Sequence, residues 1–417
     1  MKIARVFHPV GQGAYYTETH SIDESRNINF VYDCGSTTLS NKKMKQFVET
    51  SFLKDTEIEI LFISHFHADH INGIEYLHKH TKIKTVIIPQ LNNEAKTLCK
   101  INNALGDNYL DTRIIDDPRG FFGDDVKVIE VIPFDDTLLS ANASDNFIDI
   151  ETLLNPDLNN SIPSGTPLRL TNKTPYWNYI PYNISHKQRS SLFVSELANL
   201  GISNIDIFND VQEILNQKKL LIKAYKKLQG DLNANTMVLI STSIKMEYFL
   251  SDAKIVYSNK SSLSVIGLGG CLYLGDIDLD DKIGHSNERV DEVISKLSYY
   301  SNVHIGTVQV AHHGSIHNHS NKVFNKNLRT AIISYGTNNS YGHPSTFVVG
   351  DIAISTNCCD VIHITESKSS IHNQIILEVP VPTDDVDFLK FLKYDLHKLL
   401  MNNMYFLFKE YLIEDIP

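Results

Sequence analysis

Three histidines and an aspartate crowd into His65-Phe66-His67-Ala68-Asp69-His70, directly behind the apolar run Ile58 to Ile63. That run is broken only by Glu59 and bounded by polar residues, close to the pattern of a buried strand. The chain must therefore set imidazoles and a carboxylate at the end of a core element. Beyond a strand's end the backbone is free to coil, so side chains close in sequence can converge on one or two ions. Imidazole and carboxylate are natural ligands for zinc, manganese or iron at neutral pH. Alternation lets His65 and His67 face one ion while Asp69 and His70 face another. A histidine-rich surface turn has no reason to follow a core strand.

Around this cluster the pattern is that of a mixed α/β chain. Lys2 to Phe7 reads as a strand, Val10-Gly11-Gln12-Gly13 as a tight turn, and Ile28 to Tyr32 as a strand ending at Asp33-Cys34-Gly35. Asn41 to Phe52 has Met44, Phe47, Val48 and Phe52 on one helical face. A helix from Ile74 and a strand over Ile83 to Ile88, stopped by Pro89, follow. From Asp107 to Gly230 the periodicity blurs into Asn-, Asp- and Pro-rich pieces that read as loops, with a helix over Val211 to Leu228. Strand patterns return at Thr236 to Ile240, Cys271 to Leu274, Val303 to Val310, Thr330 to Ser334, Asp360 to Thr365 and Gln374 to Val379. Residues 1–135 and 231–380 are thus expected to form two halves of one scaffold. Residues 136–230 read as an insertion, and 381–417 as a helical tail rich in Phe, Leu, Met and Tyr. That tail is expected to pack on its own domain or to pair with a second copy or a protein partner.

Charge and cysteine usage narrow the class. A net charge of −11 argues against a non-specific polyanion binder, which needs clustered Lys and Arg. Bound divalent ions can still reverse the potential inside one cleft. No segment has the roughly 18 uncharged apolar residues of a membrane span. The five cysteines (Cys34, Cys99, Cys271, Cys358 and Cys359) lack framework spacing. With no signal-like start, these features suit a reduced, cytoplasmic protein.

His-x-His-x-Asp-His after a strand resembles the signature of the metallo-β-lactamase superfamily, whose fold is an αββα sandwich. Leu272-Tyr273-Leu274-Gly275-Asp276, Val310-Ala311-His312-His313-Gly314-Ser315 and Ser340-Tyr341-Gly342-His343-Pro344 follow in the family's order. Together with Val10-Gly11-Gln12-Gly13, the last two are similar to the hydrolase domain of ComEC-type DNA-uptake proteins and their relatives, among them phosphorylcholine esterases. Two departures stand out. Ala14 replaces the aspartate usual after Gly-Gln-Gly, and Asn233-Ala234-Asn235-Thr236 occupies the region of a separate ligand histidine.

The resemblance implies a site of one or two divalent ions, zinc or manganese. His65 and His67 would hold one ion, with His312 or its neighbour His313 as the third ligand. Asp69, His70 and His343 would hold the other, and Asp276 would bridge the two. Of the histidine pair, His313 is taken as the catalytic group that protonates a leaving group, and Asp69 as the residue that orients the attacking water. Asp33 would support the ligand loop by hydrogen bonds, and Ser315 and Tyr341 would contact substrate. His317 and His319 read as solvent-exposed.

Two ions close together generate a nucleophile from water at neutral pH and neutralise charge on substrate oxygens. The expected function is therefore a metal-dependent phosphodiesterase or nuclease acting on DNA. The alternatives are a small-molecule phosphodiesterase, on a cyclic nucleotide or phosphocholine ester, and a metal-stabilised interaction module. A nucleic acid or nucleotide-like phosphodiester is the expected partner, with no membrane.

Overall fold

The computed structural model describes residues 2–23, 26–106, 112–134, 147–172, 174–185, 187–225, 227, 235–244, 248–253, 263–279, 305–324, 328–355 and 360–378. Their strands pair into two sheets. From edge to edge the first runs Leu263–Leu268, Tyr248–Ala253, His372–Glu378, Lys2–Phe7, Tyr15–Ser21, Asn27–Cys34, Glu57–Phe62, Lys82–Pro89, Lys127–Ile132 and Ser161–Pro163. The second runs Asp360–Ile364, Thr330–Ser334, Ile305–Gln309, Gly270–Tyr273, Asn235–Ser243, Thr174–Ser185, Leu168–Asn172 and Ile148–Asp149. Asn27–Cys34 pairs in parallel with Glu57–Phe62, and so does Glu57–Phe62 with Lys82–Pro89. Parallel pairing also joins Gly270–Tyr273, Ile305–Gln309, Thr330–Ser334 and Asp360–Ile364 in turn.

Strand alternation explains the layering. Successive side chains point to opposite faces, so a strand buried on both sides feeds two cores. Ile60 and Phe62 join Tyr32, Met237, Leu239, Cys271 and Tyr273 between the sheets. Leu61 and Ile63 pack outward with Met44, Val48, Ile74 and Leu77, from the helices Asn41–Ser51 and Ile74–His80. On the opposite side Val238, Ile240, Leu272 and Val308 meet Val348 and Ile352 of the helix Thr346–Ser355. The order is helix, sheet, sheet, helix, the expected αββα sandwich.

Residues 147–185, expected in an insertion, instead supply strands of both sheets. The longest, Thr174–Ser185, contains Pro175 and Pro181, which read as strand breakers. Pro175 is tolerated because the register with Leu168–Asn172 shifts between Pro175 and Trp177. The expected helix from Val211 is two, Val211–Asn216 and Lys218–Tyr225. With Lys187–Asn199 they build a separate apolar cluster against Leu98 and Ile101 of the helix Asn93–Leu105. Asn92 caps that helix, its Oδ1 accepting from Ala95 N at 2.8 Å. The tail 381–417, Cys358 and Cys359 lie outside the described residues. Cys34, Cys99 and Cys271 are buried and unbonded. Among the described residues no helix is long and apolar enough to cross a membrane.

A polar clasp pins the two sheets together inside the apolar core. Glu18 accepts from Arg5 Nε at 2.7 Å, Ser241 Oγ at 2.7 Å, and the hydroxyls of Tyr179 and Tyr273 at 2.8 Å each. Arg5 also donates to Gln374 Oε1 at 3.0 Å and Gly269 O at 3.1 Å. Burial alone would push the Glu18 carboxyl up, but Arg5 holds it well below the usual carboxylate range. A buried charge stripped of its counter-charge is far costlier than a buried pair. Arg5→Met should therefore lose about 3–5 kcal/mol of stability in urea titrations, and Arg5→Met/Glu18→Gln should recover at least half of it. A single-variant loss near 1 kcal/mol, on the scale of an exposed pair, would contradict this.

His8 gives the fold an acid sensitivity of its own. It stacks on Tyr15 at 4.2 Å and bonds Thr17 Oγ1 at 3.0 Å, and burial pushes its imidazole down from 6.5 to about 3. The unfolded chain takes up this proton first, so stability is full above pH 6.5 and drains as pH falls towards 3. His8→Gln should flatten the stability profile between pH 6 and 4 by about 1.4 kcal/mol per pH unit relative to the parent. Parallel profiles would show that His8 titrates normally in the fold.

Candidate metal centre

The ends of the parallel strands supply the site, as they do in many α/β folds. Glu57–Phe62 leads into Ser64 to His70, and Asn27–Cys34 carries Asp33 next to its last residue. In the second sheet Gly270–Tyr273 leads into Asp276, Ile305–Gln309 into His312 and His313, and Thr330–Ser334 into the loop with His343. Residues more than two hundred positions apart in sequence thus meet at one edge of the sandwich.

Each of four imidazoles is fixed through Nδ1. Ser64 Oγ donates to Asp33 Oδ2 at 2.6 Å and so can accept from His65 Nδ1 at 2.9 Å. His70 Nδ1 donates to Asp33 Oδ2 at 2.8 Å, His312 Nδ1 to Asn318 Oδ1 at 2.8 Å, and His313 Nδ1 to Ser334 O at 2.8 Å. An imidazole that donates from Nδ1 can present a lone pair at Nε2, the arrangement of a metal-ligating histidine.

Those Nε2 atoms converge on two carboxylates. Asp276 Oδ1 lies 3.1 Å from His70 Nε2, while Asp276 Oδ2 lies 3.5 Å from His65 Nε2 and 3.7 Å from His312 Nε2. Asp69 Oδ2 lies 3.2 Å from His313 Nε2. Two donor groups result, Asp69, His70, Asp276 and His313, and His65, His67 and Asp69, each with its atoms within 4.8 Å of one another.

The residues fit divalent cations. His65 Nε2 and His70 Nε2 are buried, and among the described residues neither makes a hydrogen bond. Burial alone would push the Asp276 carboxyl up, yet His70, His312 and His65 hold it well below its usual range. Burial would push the His70 imidazole down, yet Asp276 and Asp33 hold it well above its ordinary value. The pocket keeps its carboxylates ionised and requires positive charge beside them. Metal ions can supply that charge to neutral imidazoles and ionised carboxylates.

The site is closed on one side and open on the other. Side-chain exposure is 2% for His65, 1% for His70, 2% for Asp276 and 3% for His313, but 18% for both Asp69 and His312. An open coordination edge distinguishes a catalytic from a structural metal site.

Several expected residues take different places. His313, expected as the catalytic group, is buried and shares a donor group with Asp69, His70 and Asp276, in the place expected of His343. His343 belongs to neither donor group. Its half-buried ring lies at the open edge, 5.4 Å from His312 and 6.4 Å from His313. Ser315, expected to touch substrate, is buried, and its Oγ accepts from His317 N at 3.3 Å. Tyr341 is 70% exposed beside His343. His317 is exposed, whereas His319 tucks in against Asp351 at 2.7 Å. Asp33 accepts from Ser64 N, Ser64 Oγ and His70 Nδ1.

Backbone geometry explains two of the motifs. A Cβ on Gly13 would stand 2.6 Å from Asp69 O, and one on Gly35 would stand 2.5 Å from the His70 carbonyl carbon. Only glycine lets these turns press against the ligand loop. His312 (φ 46°) and His313 (φ 56°) adopt the left-handed conformation, at a cost of order 1–3 kcal/mol each. Surrounding bonds hold the strained turn. His312 N donates to Gly275 O at 3.0 Å, and Ser345 N to Gly314 O at 2.9 Å.

Four positioning residues carry no metal-binding signal of their own. Ser64 links Asp33 to His65. Asn103 donates to Phe66 O at 2.8 Å and accepts from Ala68 N at 3.0 Å, gripping the ligand loop between His65 and Asp69. Gln309 Oε1 accepts from Leu274 N at 2.9 Å and Gly275 N at 2.8 Å, tying the Asp276 turn to the histidine pair. Asn318 holds His312 and donates to Asp276 O at 3.2 Å.

Residues 22–131 match the family model of the metallo-beta-lactamase superfamily, a stretch that includes Asp33 and His65 to His70. None of the curated proteins matches the chain. The matched domain, the two-sheet sandwich and the His/Asp donor groups together support a metal-dependent hydrolase.

If Asn318 sets the ring of His312 for ligation, Asn318→Leu should weaken divalent-metal binding by about 10–100-fold in chelator competition. Asn318→Asp, which keeps the acceptor, should bind within a few-fold of the parent. Equal affinity for Asn318→Leu and the parent would remove His312 from the ligand set.

Proposed function

We propose that the chain is a metal-dependent phosphodiester hydrolase acting on nucleic acid, DNA being the substrate implied by the ComEC-type motifs. The observation that carries this reading is the carboxylate of Asp276, with one oxygen towards His70 and the other towards His65 and His312. Asp69, His70 and His313 with Asp276 would hold one ion. His65, His67 and Asp276 would hold the second, with His312 completing it from the open side. Zinc or manganese suits these nitrogen and oxygen donors. Paired divalent ions supply an activated water nucleophile and neutralise charge on both the attacking and leaving oxygens of a phosphodiester.

The protein's own residues do the rest. Asp69 belongs to both donor groups and reaches the open side, so it can orient the attacking water by accepting its hydrogen bond. Asp33, Ser64, Asn318 and Ser334 hold the imidazoles so that little reorganisation is needed when substrate arrives. His343 and Tyr341 border the open edge, where substrate enters.

A second reading, a small phosphodiester such as a cyclic nucleotide or phosphocholine ester, draws support from the net charge of −11, which repels a long polyanion. A single screen separates the two. Metal-loaded protein would be offered single- and double-stranded DNA, RNA, cyclic nucleotides, a phosphocholine ester and bis-p-nitrophenyl phosphate, with metal content measured in parallel. The expected result is metal-dependent hydrolysis of DNA, reduced at least about 100-fold in His67→Ala, on the scale of losing a main stabiliser of the transition state. Hydrolysis of small esters alone would select the second reading, and metal-loaded protein inert towards every phosphodiester would overturn both.

A further inference from the structure

The loop after the strand Thr330–Ser334 is more elaborately built than a connection to the next helix requires. One side chain, Asn339, organises it. Its Nδ2 donates to Gly336 O and His343 O at 2.7 Å each, and its Oδ1 accepts from Tyr341 N at 3.2 Å and His343 N at 3.0 Å. Every hydrogen-bonding capacity of that amide is spent on holding the loop in shape. The product is an aromatic ring held out in solvent. Tyr341 is 70% exposed, with its ring 5.8 Å from that of His343 and inclined by 30°. The His343 ring in turn lies 5.4 Å from His312, which edges the open side of the cation site. The rings thus form a path from the reacting centre outward, ending on a broad face in contact with water.

A single exposed tyrosine is ordinary on a protein surface. One whose backbone is held by a dedicated amide, whose ring is backed by a second ring and which lies beside a candidate catalytic opening is preorganised for stacking. Tyrosine gives a large rigid contact at little entropic cost. We propose that Tyr341 is the stacking platform for a nucleobase, so that the site takes nucleotidyl phosphodiesters. This rests on the phosphodiesterase reading and names the residue that would take the base. A quaternary ammonium such as choline is typically recognised by an aromatic cage, whereas one open face suits a flat base. Stacking on a single ring also reads no particular sequence, so little discrimination between bases is expected.

The test compares two phosphodiesters with the same p-nitrophenol leaving group, thymidine 5′-(p-nitrophenyl phosphate) and methyl p-nitrophenyl phosphate, on the metal-loaded full chain. The parent and Tyr341→Phe should favour the thymidine ester by about tenfold or more in kcat/KM, the order expected for one base on one aromatic ring. In Tyr341→Ala that ratio should collapse towards one, chiefly through KM. Equilibrium dialysis of thymidine 5′-monophosphate against inorganic phosphate gives a second measure that needs no turnover, and the same variants should change it in the same sense. A preference for the thymidine compound that is equal in the parent and Tyr341→Ala would overturn the platform. So would a Tyr341-dependent preference for p-nitrophenyl phosphocholine over the thymidine ester. Tyr341-dependent nucleotide binding without hydrolysis of either ester would uphold the platform and reject the phosphodiesterase.

Discussion

A carboxylate buried among imidazoles is stable only if the charges around it balance, and Asp276 sets that condition for the whole site. It comes from the second sheet, and His65 and His70 come from the first. The two halves of the sandwich must therefore be held in register for these groups to meet. Much of the unusual structure elsewhere serves that demand. Gly13 and Gly35 let neighbouring turns press against the Asp69–His70 backbone, and Gln309 ties the Asp276 turn to the histidine pair.

Holding the sheets in register explains a polar cluster where apolar packing would otherwise serve. Glu18 gathers Arg5, Tyr179, Ser241 and Tyr273 from both sheets around one carboxylate. Apolar surfaces tolerate sliding, but a fully satisfied buried network has one arrangement. The strained turn at His312 and His313 follows the same logic. Its cost is borne by a fold that fixes both ends, and the left-handed turn lets adjacent histidines act on different sides of the cluster. His313 enters the closed side and His312 faces the opening.

Parts of this arrangement were legible in the sequence for a physical reason. His65, His67, Asp69 and His70 follow one buried strand, so local pattern and ligand chemistry coincide. Asp276 was readable because an apolar run leads into Gly275. The places of His313 and His343 were not, because they depend on backbone conformation at His312 and on an acceptor, Ser334 O, that has no side-chain signature. Asn318 and Asn103 act through their amides from loop and helix positions where asparagine is commonplace. In the fold, a near-continuous apolar run revealed Glu57–Phe62, whereas Thr174–Ser185 lies in a stretch whose periodicity is blurred and contains Pro175 and Pro181, its register shift being explained only by the paired neighbour.

We propose that Asp276 lies between two cations held by ligands from both sheets. X-ray absorption at the metal edge of fully loaded protein tests it most directly. Imidazole scattering and a metal–metal vector of about 3.5–4 Å are expected, the vector being lost in Asp276→Asn. A single isolated ion with no such vector at saturating metal, or a vector that survives Asp276→Asn unchanged, would contradict it.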